Sequence, residues 1–165
     1  MNDKHFNKYY KKYAGNIFRF IYFKVSDFEL AKDLTADTFT KFWEHIKAEY
    51  DIEFTKAFLY TIARGIVVDY YRKKKNRKQV SIDLIDERLL SNTDGHEERI
   101  WQRQEMEQVF ATLRKLKKEY QEVLVLYYIE ELSVDEMAVV LKKKENNIRV
   151  VIHRALLALK KLYER

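Results

Sequence analysis

The sequence predicts an all-α protein, and three observations carry that prediction. It contains no proline and only three glycines, at positions 15, 65 and 95, in 165 residues. Such poverty in residues that end or bend helices favours long helices over hairpins and sandwiches. Apolar residues recur at helical spacing, as at Val134, Met137, Ala138 and Leu141, which fall at i, i+3, i+4 and i+7. Helix-start signals precede the periodic runs: Ser133 stands three residues before Glu136, and Ser26 three before Glu29, each the pair of a capping box.

Phe6, Tyr9, Tyr10, Tyr13, Ile17, Phe20 and Ile21 mark the first helix, which Gly15 interrupts. That glycine costs about 1 kcal/mol relative to alanine, an amount tertiary packing can absorb. A second helix begins near Asp27, with an apolar face of Phe28, Ala31, Leu34, Thr38, Phe39, Phe42 and Ile46. Another face carries Glu29, Asp33 and Asp37 at i, i+4 and i+8, with Trp43 nearby. An acidic stripe is most often a solvated surface, but a large aromatic beside it is the kind of residue that anchors an interface.

After a polar turn at residues 49–53, Thr55 can cap a third helix, with Phe58, Leu59, Ile62, Ala63, Ile66, Val67 and Tyr70 on its buried side. Tyr60, Arg64, Val68 and Tyr71 then project outward, and the helix runs into six cations in seven residues, 72–78. A basic run can be a solvated tail. Continuing a face that bears aromatics, it also has the ingredients of a single-strand platform, where bases stack on rings and cations hold the backbone.

Periodicity fades over residues 79–97, where Ser91, Asn92, Asp94 and Gly95 supply loop chemistry. This reads as a flexible linker between domains at 1–78 and 98–165. Trp101, Met106, Val109, Phe110, Leu113 and Leu116 define a fourth helix, and Val123, Leu124, Tyr127 and Tyr128 a fifth. The short helix capped by Ser133 ends at Lys142-Lys143-Lys144, and a further apolar pattern follows at Ile148, Val151, Ile152, Ala155, Leu156, Leu159 and Leu162. Its opposite face carries Asn146, Arg149, Val150, His153 and Arg154. Two short amphipathic helices around a tight polar turn describe either a plain helical hairpin or a helix-turn-helix. Charge favours the second. Residues 142–165 hold eight Lys or Arg against two Glu, a surplus of six that equals the net charge of the whole chain. Such concentration is the footprint of phosphate contact.

Composition narrows the classes further. Apolar residues at 47% suffice for a core, and no apolar run reaches the length of a membrane span. The polar, lysine-rich start is not a signal peptide, so a soluble cytoplasmic protein without membrane insertion is expected. Without cysteine there is neither a disulfide framework nor a thiolate metal site. The four histidines, at 5, 45, 96 and 153, are scattered, and no glycine-rich phosphate loop or nucleophile elbow occurs. The expectation is a protein that is not an enzyme and takes no cofactor or metal. A pI near 9.3 points to an acidic partner, nucleic acid ahead of membrane.

Taken together, the motifs resemble one family, the bacterial RNA polymerase sigma factors of the extracytoplasmic-function group. AKDLTADTFTKFW, residues 31–43, is similar to that family's core-polymerase-binding helix, and FLYTIARGIVVDYYRK, residues 58–73, to its minus-ten segment. Residues 119–155 resemble its minus-thirty-five reader, with Glu122-Val123-Leu124, Leu132-Ser133, Glu136, Ala138, Leu141 and His153-Arg154-Ala155 in place. The resemblance implies docking on core polymerase by Asp33, Leu34, Asp37, Phe39 and Trp43. It assigns the melted strand to Tyr60, Arg64, Tyr71, Arg72, Lys73, Lys74 and Lys75, and the major groove to Lys144, Asn146, Asn147, Arg149, Val150, His153 and Arg154. The implied partners are RNA polymerase core enzyme, promoter DNA and an anti-sigma factor.

The chain departs from the family's pattern at Ala36 (usually Gln), Gly65 (Asn), Lys117 (Pro), the Lys142–Lys144 turn (Gly, Ile or Val, Ser) and Val150-Val151 (Ser-Arg). Loss of a turn glycine and of a serine cap each costs about 1 kcal/mol, unless Asn146 moves the helix start. The rival readings are a conventional helix-turn-helix regulator with a sensing or dimerising amino-terminal half, and a helical adaptor that never touches DNA.

Overall fold

The computed structural model describes the backbone of residues 2–48, 54–76 and 97–164, and the side chains of residues 3–48, 54–76 and 104–164. The turn expected at 49–53, the linker up to residue 96, Arg77, Lys78 and the side chain of Trp101 lie outside the described residues. The chain divides into two compact units, Met1–Ser91 and Asn92–Arg165. Among the described residues all regular structure is helical.

In the first unit α1 (Asn2–Val25), α2 (Phe28–Lys47) and α3 (Thr55–Asn76) each pack against the other two. Ile17, Phe20, Ile21, Ala31, Phe42, Leu59, Tyr60 and Ala63 close the core, and each large apolar side chain there contributes about 1.5–3 kcal/mol. Thr38 is buried among them, its hydroxyl satisfied by donating to the carbonyl of Leu34 at 2.8 Å.

The expected capping box at Ser26 and Glu29 does not form. Ser26 adopts a left-handed backbone (φ 55°), and its amide closes α1 on the carbonyl of Tyr22 at 2.8 Å. With Ser26 committed to ending one helix, Asp27 caps the next, Oδ1 accepting from the Leu30 amide at 3.0 Å. Thr55 likewise is already helical, since the amide of Phe58 bonds to Phe54 O at 2.8 Å.

The second unit comprises α4 (Glu97–Leu113), α5 (Lys118–Leu124), α6 (Val134–Leu141) and α7 (Glu145–Tyr163), with α5 and α6 both packed on α7. Phe110, Leu126, Leu132, Met137, Ile148 and Ala155 form its core. Buried Gln121 donates from Nε2 to Leu116 O at 2.6 Å and Arg114 O at 3.3 Å, satisfying carbonyls just past α4.

Past its end α5 widens into one π-helical turn, Val125–Ile129, in which the Glu130 amide reaches back to Val125 O at 2.9 Å. That i→i−5 bond breaks the register linking Val123 and Leu124 to Tyr127 and Tyr128. Val125 and Leu126 fill the core instead, and the two tyrosines, expected inside, are exposed, Tyr128 by 53%. Val109 and Leu156, also expected on apolar faces, are exposed as well.

The capping box at Ser133 forms as expected: its Oγ accepts from the Glu136 amide at 3.3 Å, and its own amide donates to Glu136 Oε2 at 3.4 Å. In the following turn Lys142 takes the left-handed conformation (φ 53°, ψ 44°), where glycine would be unstrained. Lys144 holds the cap position of α7 with no side-chain acceptor to offer, and Asn146 does not shift the start, since α7 begins at Glu145.

Candidate nucleic-acid and partner interfaces

On α2, Glu29, Asp33 and Asp37 stand in solvent, and Glu29 meets Lys32 at 3.7 Å. Leu34 and Phe39 do not share that exposure. Both are core residues, Phe39 only 2% accessible, because α2 is flanked by α1 on one side and α3 on another. They support the acidic face from beneath. Trp43 is half-buried, its ring 5.1 Å from Phe6 in an edge arrangement.

Between α1 and α2 lies an open groove of about 560 Å3, lined by Asp3, Phe6, Asn7, Tyr10, Ala36, Phe39, Thr40 and Trp43. The α1 wall was not among the sequence-derived candidates. Its one sequence signal is the small pair Ala36 and Thr40, two turns and one turn before Trp43, which leaves room for a groove.

On α3 the largest correction concerns Tyr60. It is fully buried, its ring edge-on to Phe20 at 5.3 Å, and cannot stack on a base. A helix packed against two neighbours buries a wide arc, and position 60 falls inside it. Arg64 is half-buried, whereas Val68, Tyr71 and Lys75 follow it along one exposed line of the helix. The Tyr71 hydroxyl donates to Lys24 O at 2.8 Å, tying the end of α3 to the end of α1. Partial burial, aided by Tyr70, raises the Tyr71 pKa above its ordinary value.

Arg72, Lys73, Lys74 and Lys75 are helical and exposed, so this part of the basic run is not a tail. Arg72 lies 3.8 Å from Asp69. Charges this exposed contribute little to folding and remain available to phosphate.

In the second unit every sequence-derived candidate is on the surface: Lys144, Asn146, Asn147, Arg149, Val150, His153 and Arg154. They occupy the first turns of α7 on the side away from Ile148, Ile152 and Ala155, which pack inward. Arg149 is braced, Nη1 donating to Asn146 Oδ1 at 3.3 Å and Nη2 to Glu145 Oε2 at 3.2 Å. A guanidinium held by two local acceptors presents its remaining donors in a fixed direction, as bidentate recognition of a base edge requires.

One carboxylate stands against the turn. Glu119 on α5 accepts from Lys143 Nζ at 2.9 Å and lies 3.9 Å from Lys117 Nζ. The bond from Lys143 and its charge, with Lys117 and Arg154 adding, hold the Glu119 pKa below its ordinary value. Asp135 is also lowered, chiefly by a hydrogen bond with Ser133.

Among the described residues no group of His, Cys, Asp and Glu could hold a metal ion, and no helix is long and apolar enough to cross a membrane.

The two units match two families in sequence. Residues 9–77 match the family described as Sigma-70 region 2, and residues 106–159 that described as Sigma-70, region 4. The chain is 33% identical over 159 residues to the ECF RNA polymerase sigma factor SigM of Bacillus subtilis (strain 168), covering 94% of this chain and 93% of the relative. Another B. subtilis protein, RNA polymerase sigma factor YlaC, is 29% identical over 152 residues, with 92% and 88% covered.

The fold is similar to that of the sigma factor RpoE from Bartonella quintana, solved in complex with the anti-sigma factor NepR. The TM-score is 0.70 at 19% identity, over 98% of each chain. With two helical units that match these two regions in order, and a relative 33% identical over nearly the whole chain, the chain belongs to the ECF (extracytoplasmic-function) group of RNA polymerase sigma factors.

Proposed function

We infer that the chain works as a sigma factor through three surfaces. The Asp33, Asp37 and Trp43 side of α2 docks on RNA polymerase core enzyme, the Tyr71 and Arg72–Lys75 end of α3 handles the separated strand, and the first turns of α7 enter the major groove. One observation carries the last assignment: six polar candidates, with Val150 among them, stand together on the outer face of the second helix of a helix-turn-helix. Leu34, Phe39 and Tyr60 act from within the core by holding these surfaces in place.

The chain supplies address and strand separation in the cytoplasm, and the polymerase performs the chemistry. An anti-sigma factor is the proposed regulator, since the B. quintana relative is solved with one.

Co-purification of the full chain with core polymerase, followed by transcription from a responsive promoter, tests the reading. Retention of the chain and promoter-dependent transcript are expected. A chain that binds duplex DNA specifically as a dimer, and is not retained by polymerase, is instead a conventional regulator.

A further inference from the structure

Of the three lysines in the turn before α7, Lys142 and Lys144 have no carboxylate partner among the described residues, whereas Lys143 is held at 2.9 Å by Glu119. The tie spans 24 residues, joining α5 to the turn that presents the recognition helix. Glu119 is well placed for this. Its second oxygen faces Lys117 at 3.9 Å, and Arg154, on the outer face of α7, adds to the same field. One carboxylate thus sits where three cations converge, beside a helix start at which DNA phosphate would dock.

We propose that Glu119 sets the sequence-independent affinity of the turn: by engaging Lys143 it withholds one phosphate contact from any duplex, and leaves discrimination to what Asn146, Arg149 and Arg154 read. Phosphate contacts strengthen binding to every sequence alike. A turn with three unrestrained lysines would raise affinity for promoter and non-promoter DNA equally, whereas a turn with one lysine engaged leaves a larger share of the affinity to the base edges. The tie also steadies the turn against α5. The inference rests on the sigma-factor reading of α7 as the DNA-contacting helix.

The test compares four full-length chains, wild type, Glu119→Gln, Lys143→Met and the double variant, by anisotropy on a non-promoter duplex across a salt series. Each phosphate contact adds about 0.9 to the log–log slope. Glu119→Gln is expected to steepen the slope by about 0.9 and to tighten non-promoter binding several-fold. Lys143→Met alone should leave the slope at the wild-type value, and the double variant should return to it. With core polymerase present, Glu119→Gln should tighten promoter and non-promoter binding by the same factor and leave their ratio unchanged.

An unchanged slope in Glu119→Gln overturns the proposal, as does a slope already flattened by Lys143→Met alone, which would place Lys143 on phosphate in the wild type. A thermal shift in Glu119→Gln with no change in slope marks the tie as structural only and equally overturns it. If wild-type binding shows no salt dependence, the DNA-contacting role of α7 falls, and the inference falls with it.

Discussion

The two units place their candidate residues differently. In the first, three of the residues assigned to partner or DNA contact, Leu34, Phe39 and Tyr60, are buried, while in the second every assigned residue is exposed. The cause is packing geometry. Helices α2 and α3 each have two neighbours in a three-helix bundle, so their buried arcs are wide and leave a narrow outer face. Helix α7 also has two neighbours, α5 and α6, but only the single stripe Ile148, Ile152 and Ala155 is buried, and the opposite side of its first turns is exposed. An outer face is therefore legible from spacing where the buried stripe is narrow, and is over-read where it is wide.

Tyr60 gives the sharpest way to break that comparison. As a buried ring against Phe20, its replacement by alanine should cost about 3–5 kcal/mol. Tyr71→Ala should cost about 1 kcal/mol of stability through its lost bond to Lys24 O, yet weaken single-strand binding by about 1–3 kcal/mol. Urea unfolding separates the two. A Tyr60→Ala chain that unfolds at the wild-type midpoint would return Tyr60 to the surface.

The basic end of α3 provides the second contrast. Neutralising Lys73, Lys74 and Lys75 should flatten the salt dependence of promoter-complex formation by roughly 2–3 log–log units. Because phosphate contacts carry no sequence information, the loss should fall on all sequences alike. An unchanged slope would make the run a solvated helix end.

Arg149→Ala should act in the opposite way, weakening promoter binding by about 1–3 kcal/mol and non-promoter binding much less. Its brace to Glu145 and Asn146 is what predicts the selectivity. Equal losses on matched and scrambled minus-thirty-five sequences would reduce Arg149 to a phosphate contact.

Much of the fold was legible for identifiable reasons. Few breakers, steady helical spacing and the Ser133–Glu136 box located the helices, and the cost of a lysine at 142 was readable because the turn requires a positive φ. Three features were not. The helix start at Asp27 depends on Ser26 being consumed in ending α1. The outward swing of Tyr127 and Tyr128 depends on a π turn that leaves no mark in apolar spacing. The groove beside Trp43 takes one wall from α1, so no reading of α2 alone could find it. Each miss is a place where a local signal was overruled by what a neighbouring element needed.

The smallest effects test how far the departures at Gly65 and Lys142 cost stability. Lys142 sits in the left-handed region, which costs a side-chain-bearing residue about 1–2 kcal/mol. Lys142→Gly should recover part of that, roughly 0.5–1 kcal/mol, offset by the greater freedom glycine brings to the unfolded chain. Gly65 lies mid-helix at an exposed position of α3, and a Cβ built there meets nothing within 4 Å. Gly65→Ala should therefore stabilise the first unit by about 0.5–1 kcal/mol, since alanine loses less backbone freedom on folding. Thermal unfolding of the two variants should show two independent, additive gains, because the substitutions lie in separate compact units. If Lys142→Gly instead destabilises, the lysine side chain holds the turn through contacts that outweigh its backbone strain. The unglycinated turn would then be a stabilising feature of this chain, and its three-lysine sequence would have to be explained by packing rather than by DNA.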